Sequence, residues 1–262
     1  TTLLDVYGIS IEKIERINQG TANIFKLYDK DKKYVLKEYQ SKYKKEDILK
    51  EIGAISYLKE KTDIPLPEFI FFDIINSDIP LPEFIMSKNG EYCFEHQGKV
   101  AVLQFFIEGH TFNKNEGNYQ QIMDSAEFLG KIVQGFEEYN CSDYVNVLDW
   151  ISTEELSKAN EKFDKILYQI NDTKIENKIR EDIIFKKDLI NKLKKEIDID
   201  ELSKITHKVS HGDYSYLQFI YDKKNKVKAI IDFIKVKKLP VVWEIARSYT
   251  YIDKKAKKGE ID

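Results

Sequence analysis

His211-Gly212-Asp213-Tyr214-Ser215-Tyr216-Leu217-Gln218, followed by Ala229-Ile230-Ile231-Asp232-Phe233, is the stretch from which this chain is read. It places one carboxylate, Asp213, in a loop beside a histidine, an amide five residues later, and a second carboxylate, Asp232, at the end of an apolar strand. A hairpin through Lys223-Lys224-Asn225-Lys226 would bring Gln218 close to Asp232. Phosphoryl transfer needs this equipment: one acid to receive a hydroxyl proton, and an amide oxygen and another acid to hold magnesium against a triphosphate. Asp213 is therefore the candidate catalytic base, with Gln218 and Asp232 the candidate metal ligands. A buried Asp232 without a cation would be costly, so its burial would argue for a metal. His211 reads as a brace for the loop.

Working toward the N-terminus, residues 14–17, 23–28 and 34–37 read as strands. They are separated by the turn-rich Asn18-Gln19-Gly20-Thr21 and the polar Asp29-Lys30-Asp31-Lys32. Residues 46–61 carry Ile48, Ile52, Ile55 and Leu58 at helical spacing. Gly20, Thr21 and Asn23 sit between two strands, where a glycine lets backbone approach an anion and the side chains add donors. Lys37 is a candidate phosphate clamp, and Glu51, at the border of the helix's apolar face, is placed to pair with it. Asp63-Ile64-Pro65-Leu66-Pro67-Glu68-Phe69-Ile70 recurs letter for letter at 78–85 and reads as two extended segments. Asn89-Gly90 predicts a tight hairpin turn. Residues 100–106 form a continuous apolar run, expected as a buried strand, and Glu108-Gly109 breaks it.

Beyond that break the pattern turns helical, over 119–139, 153–170 and 174–197. Strand-like and irregular sequence returns at 205–231, and a last helix over 241–251 follows Pro240. The fold class expected is α+β with two lobes. Residues 1–106 would form a small antiparallel β lobe with one helix, binding nucleotide. Residues 107–262 would form a mostly helical catalytic lobe.

Composition narrows the function. The 262 residues carry 42% hydrophobic and 33% charged side chains with a net charge of -3, which supplies a core and gives no push toward nucleic acid or an anionic membrane. The run Lys254-Lys255-Ala256-Lys257-Lys258 reads as a solvated face. No apolar run is long enough to span a bilayer. Cys93 and Cys141 suggest neither a disulfide framework nor a metal cluster, so a cytoplasmic setting is expected. His207 and His211 have the spacing of a helical zinc pair, but a strand and a turn carry them.

These residues, in this order, resemble the aminoglycoside phosphotransferase and choline kinase-like family, a branch of the protein-kinase-like fold. The family's His-Gly-Asp, four residues, Asn, and then a strand ending in Ile-Asp-Phe are matched by residues 211–218 and 231–233. Gly20-Thr21-Ala22-Asn23 stands for its nucleotide loop, Tyr34-Val35-Leu36-Lys37 for its lysine strand and Glu51-Ile52-Gly53-Ala54 for its paired acid. Ile107-Glu108-Gly109 looks like the segment past its hinge. Pro240-Val241-Val242-Trp243-Glu244-Ile245-Ala246 resembles Pro-x-x-x-Asp-Leu-Ala, with Glu244 in the acid position. The resemblance implies transfer of the ATP γ-phosphate, with Mg2+, to a hydroxyl of a small molecule such as an aminoglycoside or choline. It places adenine near Gln104, Phe106 and Ile107.

Two departures stand out. Gln218 replaces the family's asparagine, one methylene longer. The chain also stops at Asp262, where the family continues with helices that wall the acceptor pocket. Together they motivate an alternative, a catalytically silent kinase-fold module that binds nucleotide or a partner. Asp143, Asp149, Glu154 and Glu155 are candidate contacts for a cationic acceptor. Trp150 or Tyr214 could stack on a quaternary amine, although Trp150 reads more simply as core.

Overall fold

The computed structural model describes residues 2–18, 20–30, 32–61, 68–69, 83–171 and 173–256. The N-terminal lobe is a sheet of β1 (Lys13–Ile17), β2 (Asn23–Asp29), β3 (Lys32–Glu38), β4 (Glu68–Phe69), β5 (Glu83–Phe84), β6 (Cys93–His96) and β7 (Lys99–Phe105). Its order is β1-β2-β3-β7-β5-β4, with β6 also on β7. All the pairings are antiparallel except β4 with β5. The remainder of the repeated octapeptides lies outside the described residues, apart from Ile85, whose N–H donates to the Leu103 carbonyl at 2.7 Å.

The apolar run at 100–106 is explained by the two faces of β7. Val100 and Val102 pack toward α2 (Lys45–Lys61), with Ile48, Ile52, Ile55 and Leu58. Leu103, on the opposite face, packs with Leu27 and Tyr34 beneath α1 (Thr2–Tyr7). A strand covered on both sides loses the apolar–polar alternation by which exposed strands are recognised. The helix α1 is an addition to the expected elements; it is held in part by the Lys88 N–H on the Val6 carbonyl at 2.8 Å.

The second lobe contains α3 (Tyr119–Gly135), α4 (Leu148–Ile151), α5 (Thr153–Gln169), α6 (Lys174–Glu196), α7 (Ile199–Ser203) and α8 (Val241–Ile252). Two small antiparallel ladders cross it, β8 (His207–Ser210) with β11 (Lys237–Pro240) and β9 (Phe219–Tyr221) with β10 (Val227–Ile230). The helix α3 opens with a capping box: the Asn118 side chain accepts from helix backbone and the Gln121 side chain accepts from the Asn118 N–H. Asn118→Ala should lower stability by about 1 kcal/mol in thermal denaturation, the usual worth of such a cap. The helix ends at Gly135, short of the expected Tyr139, because Phe136 and Tyr139 turn in to meet Tyr57 of α2. The hairpin of α5 and α6 buries only Leu156 and Ile183 along its length, which explains the dense charge on both helices.

One core joins the lobes. The α2 face that covers the sheet also meets the turn at Phe233–Lys235, and Phe233, Tyr214 and Phe219 belong to the same apolar cluster as Ile52 and Ile55.

Candidate active site

The loop after β8 owes its shape to two residues. Gly212 adopts φ +80, and a Cβ there would lie 1.8 Å from the Lys235 carbonyl oxygen, so only glycine fits. Glu244 of α8 is fully buried and takes three donors from the loop: the Ser210 hydroxyl at 2.5 Å, the Gly212 N–H at 3.2 Å and the Tyr214 N–H at 3.1 Å. One carboxylate thus satisfies backbone groups that the loop itself leaves unpaired.

His211 braces the loop as read from the sequence. The Asp213 N–H donates to its Nδ1 at 3.3 Å, which leaves the proton on Nε2 to donate to the Ile231 carbonyl at 3.0 Å. That bond ties the loop of Asp213 to the end of β10, where Asp232 sits. The Ile231 N–H in turn donates to the Gln218 carbonyl at 3.0 Å, so the hairpin brings Gln218 and Asp232 into neighbouring positions. Asp232 has left-handed backbone, φ 72, a conformation that Asp tolerates better than most residues.

The Asp232 carboxylate meets the other lobe. Lys37 Nζ lies 2.6 Å from Asp232 Oδ1 and 3.7 Å from Glu51 Oε1, and the Tyr39 hydroxyl donates to Glu51 Oε2 at 2.7 Å. Burial alone would lower the Lys37 pKa, but Glu51 and then Asp232 outweigh it and hold the ammonium above the usual lysine range. Burial would raise Asp232, and Lys37 reverses this to a net depression. Glu51, more deeply buried and farther from the ammonium, is pushed up by burial against the pull of Lys37. The expected Lys37–Glu51 pair is present. The shorter contact, to Asp232, was not anticipated.

A test of this junction follows. Lys37→Met leaves two neighbouring carboxylates without their cation, and should cost about 3 kcal/mol at neutral pH, as when one partner of a buried pair is removed. Because Asp232 is depressed in the folded protein, the stability that it contributes is present above its unfolded pKa and is lost as the pH falls through the folded value. The penalty of Lys37→Met should therefore be largest at pH 7 and shrink toward about pH 3, as followed by thermal denaturation.

Asp213 is mostly buried, and cations meet both of its oxygens. Lys235 Nζ lies 2.6 Å from Oδ2, and the Arg247 guanidinium pairs with Oδ1. Neither was found from the sequence. The available signals were spacing: Lys235 follows Asp232 by three residues, and Arg247 follows Glu244 by three along a helix, which puts both on one side of it.

The other candidates divide. Gly20 has φ +74 with open space where a Cβ would lie, so its backbone is approachable. Thr21 is exposed and its carbonyl accepts from Gln40 at 3.2 Å. The Asn23 amide is engaged within the sheet, donating to Glu38 at 2.5 Å and accepting from Arg16 at 3.3 Å. Gln104 pairs with Val35 and Phe84 in β7, and Phe106, just beyond it, carries the Lys26 ammonium 3.8 Å from its ring centre. Tyr214 is wholly buried, its hydroxyl donating to the Ser125 carbonyl at 2.7 Å, so it is core and not an acceptor contact. Trp150, expected in the core, is instead 37% exposed and lies against Trp243. It belongs to a four-residue helix that buries no side chain.

Among the described residues, no group of three or more His, Cys, Asp or Glu side chains could by itself hold a metal. The oxygens of Gln218 and Asp232 nonetheless suit a hard ion such as magnesium, which keeps waters and takes further oxygens from a bound phosphate. A cavity of about 540 Å³ lies between α3 and α8. Asp213, Gln218 and Asp232 are not among the residues that line it.

The sequence model of the phosphotransferase enzyme family matches residues 13–260. Among solved structures, spectinomycin phosphotransferase in complex with ADP and spectinomycin is similar at TM-score 0.62 and 16% identity, over 100% of this chain and 78% of that one. A microcompartment-associated aminopropanol kinase is similar at TM-score 0.59 and 9% identity, over 96% of this chain and 73% of that one. No curated protein matches the sequence. At these identities the structural likeness shows the two-lobed fold. No helix among the described residues is long and apolar enough to cross a membrane.

Proposed function

The chain belongs to the phosphotransferase enzyme family, and from that premise we propose that it transfers the γ-phosphoryl group of ATP, in the presence of Mg2+, to a hydroxyl group of a small molecule. The observation that carries this reading is the placement of Asp213 and Asp232 on two loops tied by His211, with Lys37 reaching Asp232 from the opposite lobe. On this reading residues 1–106 are the nucleotide lobe and 107–262 the catalytic lobe.

Mg-ATP, when bound, supplies the phosphoryl group and, as ADP, the leaving group. Asp213 receives the proton of the acceptor hydroxyl, whose oxygen bonds to the γ-phosphorus as the bond to the β,γ-bridging oxygen breaks. Lys235 and Arg247 hold the two Asp213 oxygens in place. Gln218 and Asp232 offer an amide oxygen and a carboxylate to the metal. Lys37, paired with Glu51 and Asp232, would offer its charge to phosphate oxygens. The Gly20 and Thr21 turn offers backbone to the phosphates, and the segment of Gln104, Phe106 and Ile107 borders the adenine. Preorganised charge of this kind is the protein's main contribution to phosphoryl transfer.

Mg-ATP should raise the melting temperature of the protein. Asp232→Asn should remove the magnesium-dependent part of that rise while leaving the fold intact. A rise of equal size in wild type and variant would remove Asp232 from the metal site. Turnover of ATP over a panel of hydroxyl compounds separates an active enzyme from a silent module.

A further inference from the structure

The chain has two tryptophans, and they touch each other: the Trp150 and Trp243 ring centres lie 5.1 Å apart at 48°. They stay 37% and 45% exposed, although indole is among the side chains that gain most from burial. Their position relates them to the catalytic loop. Trp243 precedes Arg247 by four residues on α8, so the two share one face of the helix with side chains roughly one turn apart. Arg247 pairs with Asp213. The opposite edge of α8, with Ile245, Tyr249 and Ile252, lines the cavity against α3. Trp243 therefore lies on the same edge of α8 as the arginine that meets Asp213, one helical turn from that arginine along the helix.

The surrounding charges restrict what such a surface could hold. A polycationic acceptor would call for acids without a cation, and three of the four acids offered by the sequence already have a lysine. Asp143 pairs with Lys50, Asp149 accepts the Asn146 N–H, and Glu154 and Glu155 share Lys158. Beside Asp213 stand the cations Lys235 and Arg247. Two tilted indole faces beside fixed cations suit the apolar C–H face of a ring whose rim carries hydroxyls.

We propose that Trp150 and Trp243 form the acceptor subsite, and that the acceptor is an uncharged ring-bearing polyol, a sugar or cyclitol, rather than a polyamine. The proposal rests on the phosphotransferase reading above and specifies its substrate class. One indole pair steers the ring, and Asp213 meets a hydroxyl on its rim.

Because both tryptophans belong to the pair, tryptophan emission, excited at wavelengths that the tyrosines do not absorb, reports on this one place. The test titrates the protein, with magnesium and a non-hydrolysable ATP analogue, against a panel of neutral pyranosides and cyclitols and against the polycation kanamycin. A saturable emission change with a neutral ring compound and none with kanamycin is expected. Trp243→Leu should then raise the KM for that acceptor about tenfold with the KM for ATP unaltered, the scale of one lost aromatic contact, and Trp243→Phe should recover most of the loss. A response to kanamycin alone would overturn the substrate class. An unresponsive pair in a protein that still phosphorylates an acceptor would overturn the subsite and leave the kinase reading intact. Loss of that reading would show separately, as the absence of any Mg-ATP effect on melting temperature, and would take the proposal with it.

Discussion

Asp213→Asn is expected to lower phosphoryl transfer by about 10²- to 10⁴-fold, the range over which a positioned general base acts, while Mg-ATP still raises the melting temperature. An amide cannot take the acceptor proton. It also presents an N–H₂ group to Lys235 or Arg247, each of which is itself only a donor, so one of these two contacts must open. The variant should thus be slightly less stable than the wild type, while the residues proposed for the nucleotide, in the β lobe, are unchanged. The measurement is turnover with any hydroxyl compound that the wild type phosphorylates, set against the nucleotide-dependent melting shift. Retention of full turnover would remove Asp213 from the mechanism.

Glu244→Ala should have the largest effect on folding. It strips the acceptor from the Ser210 hydroxyl and the Gly212 and Tyr214 N–H groups in a place that water does not reach. Each stranded donor costs about 1–3 kcal/mol, and relaxation of the loop recovers part of the sum, so a net loss of about 3–5 kcal/mol is expected in urea denaturation. Glu244→Gln keeps the shape and one acceptor oxygen, and should fall between the two. Glu244→Asp retains the charge but is a methylene shorter; it should keep the fold while loosening the loop, which would read out in kcat more than in the midpoint of unfolding. A Glu244→Ala protein within 1 kcal/mol of wild type would show that the loop holds itself.

The sequence carried the loop, the lysine strand and the paired acid because each rests on local patterning: a glycine with a steric reason, an apolar strand ending in an acid, a carboxylate at the edge of an amphipathic helix. It was silent where the partner is set by tertiary contact. Lys37 on Asp232 spans 195 positions and the two lobes, and no periodicity encodes it. Glu244 was recognisable as an acid in a motif, but its work as an acceptor for three loop donors is visible only once α8 lies beneath the loop. Trp150 was read as core on hydrophobicity alone, and the short helix that carries it leaves the ring half outside. The strand β11 was missed because Lys237-Lys238-Leu239-Pro240 has little apolar character. It is recruited by pairing with β8, from Lys237 opposite Ser210 to Pro240 opposite His207.

The close approach of Gly212 to the Lys235 carbonyl has a mechanical consequence. With no side chain between them, and with His211 bonded to Ile231, the loop of Asp213 and the turn of Asp232 are held as one block. On the proposed reading, the spacing between the base and the acid offered to the metal is then set by the fold of this one loop pair. Lys37 meets that block from the β lobe, through Asp232.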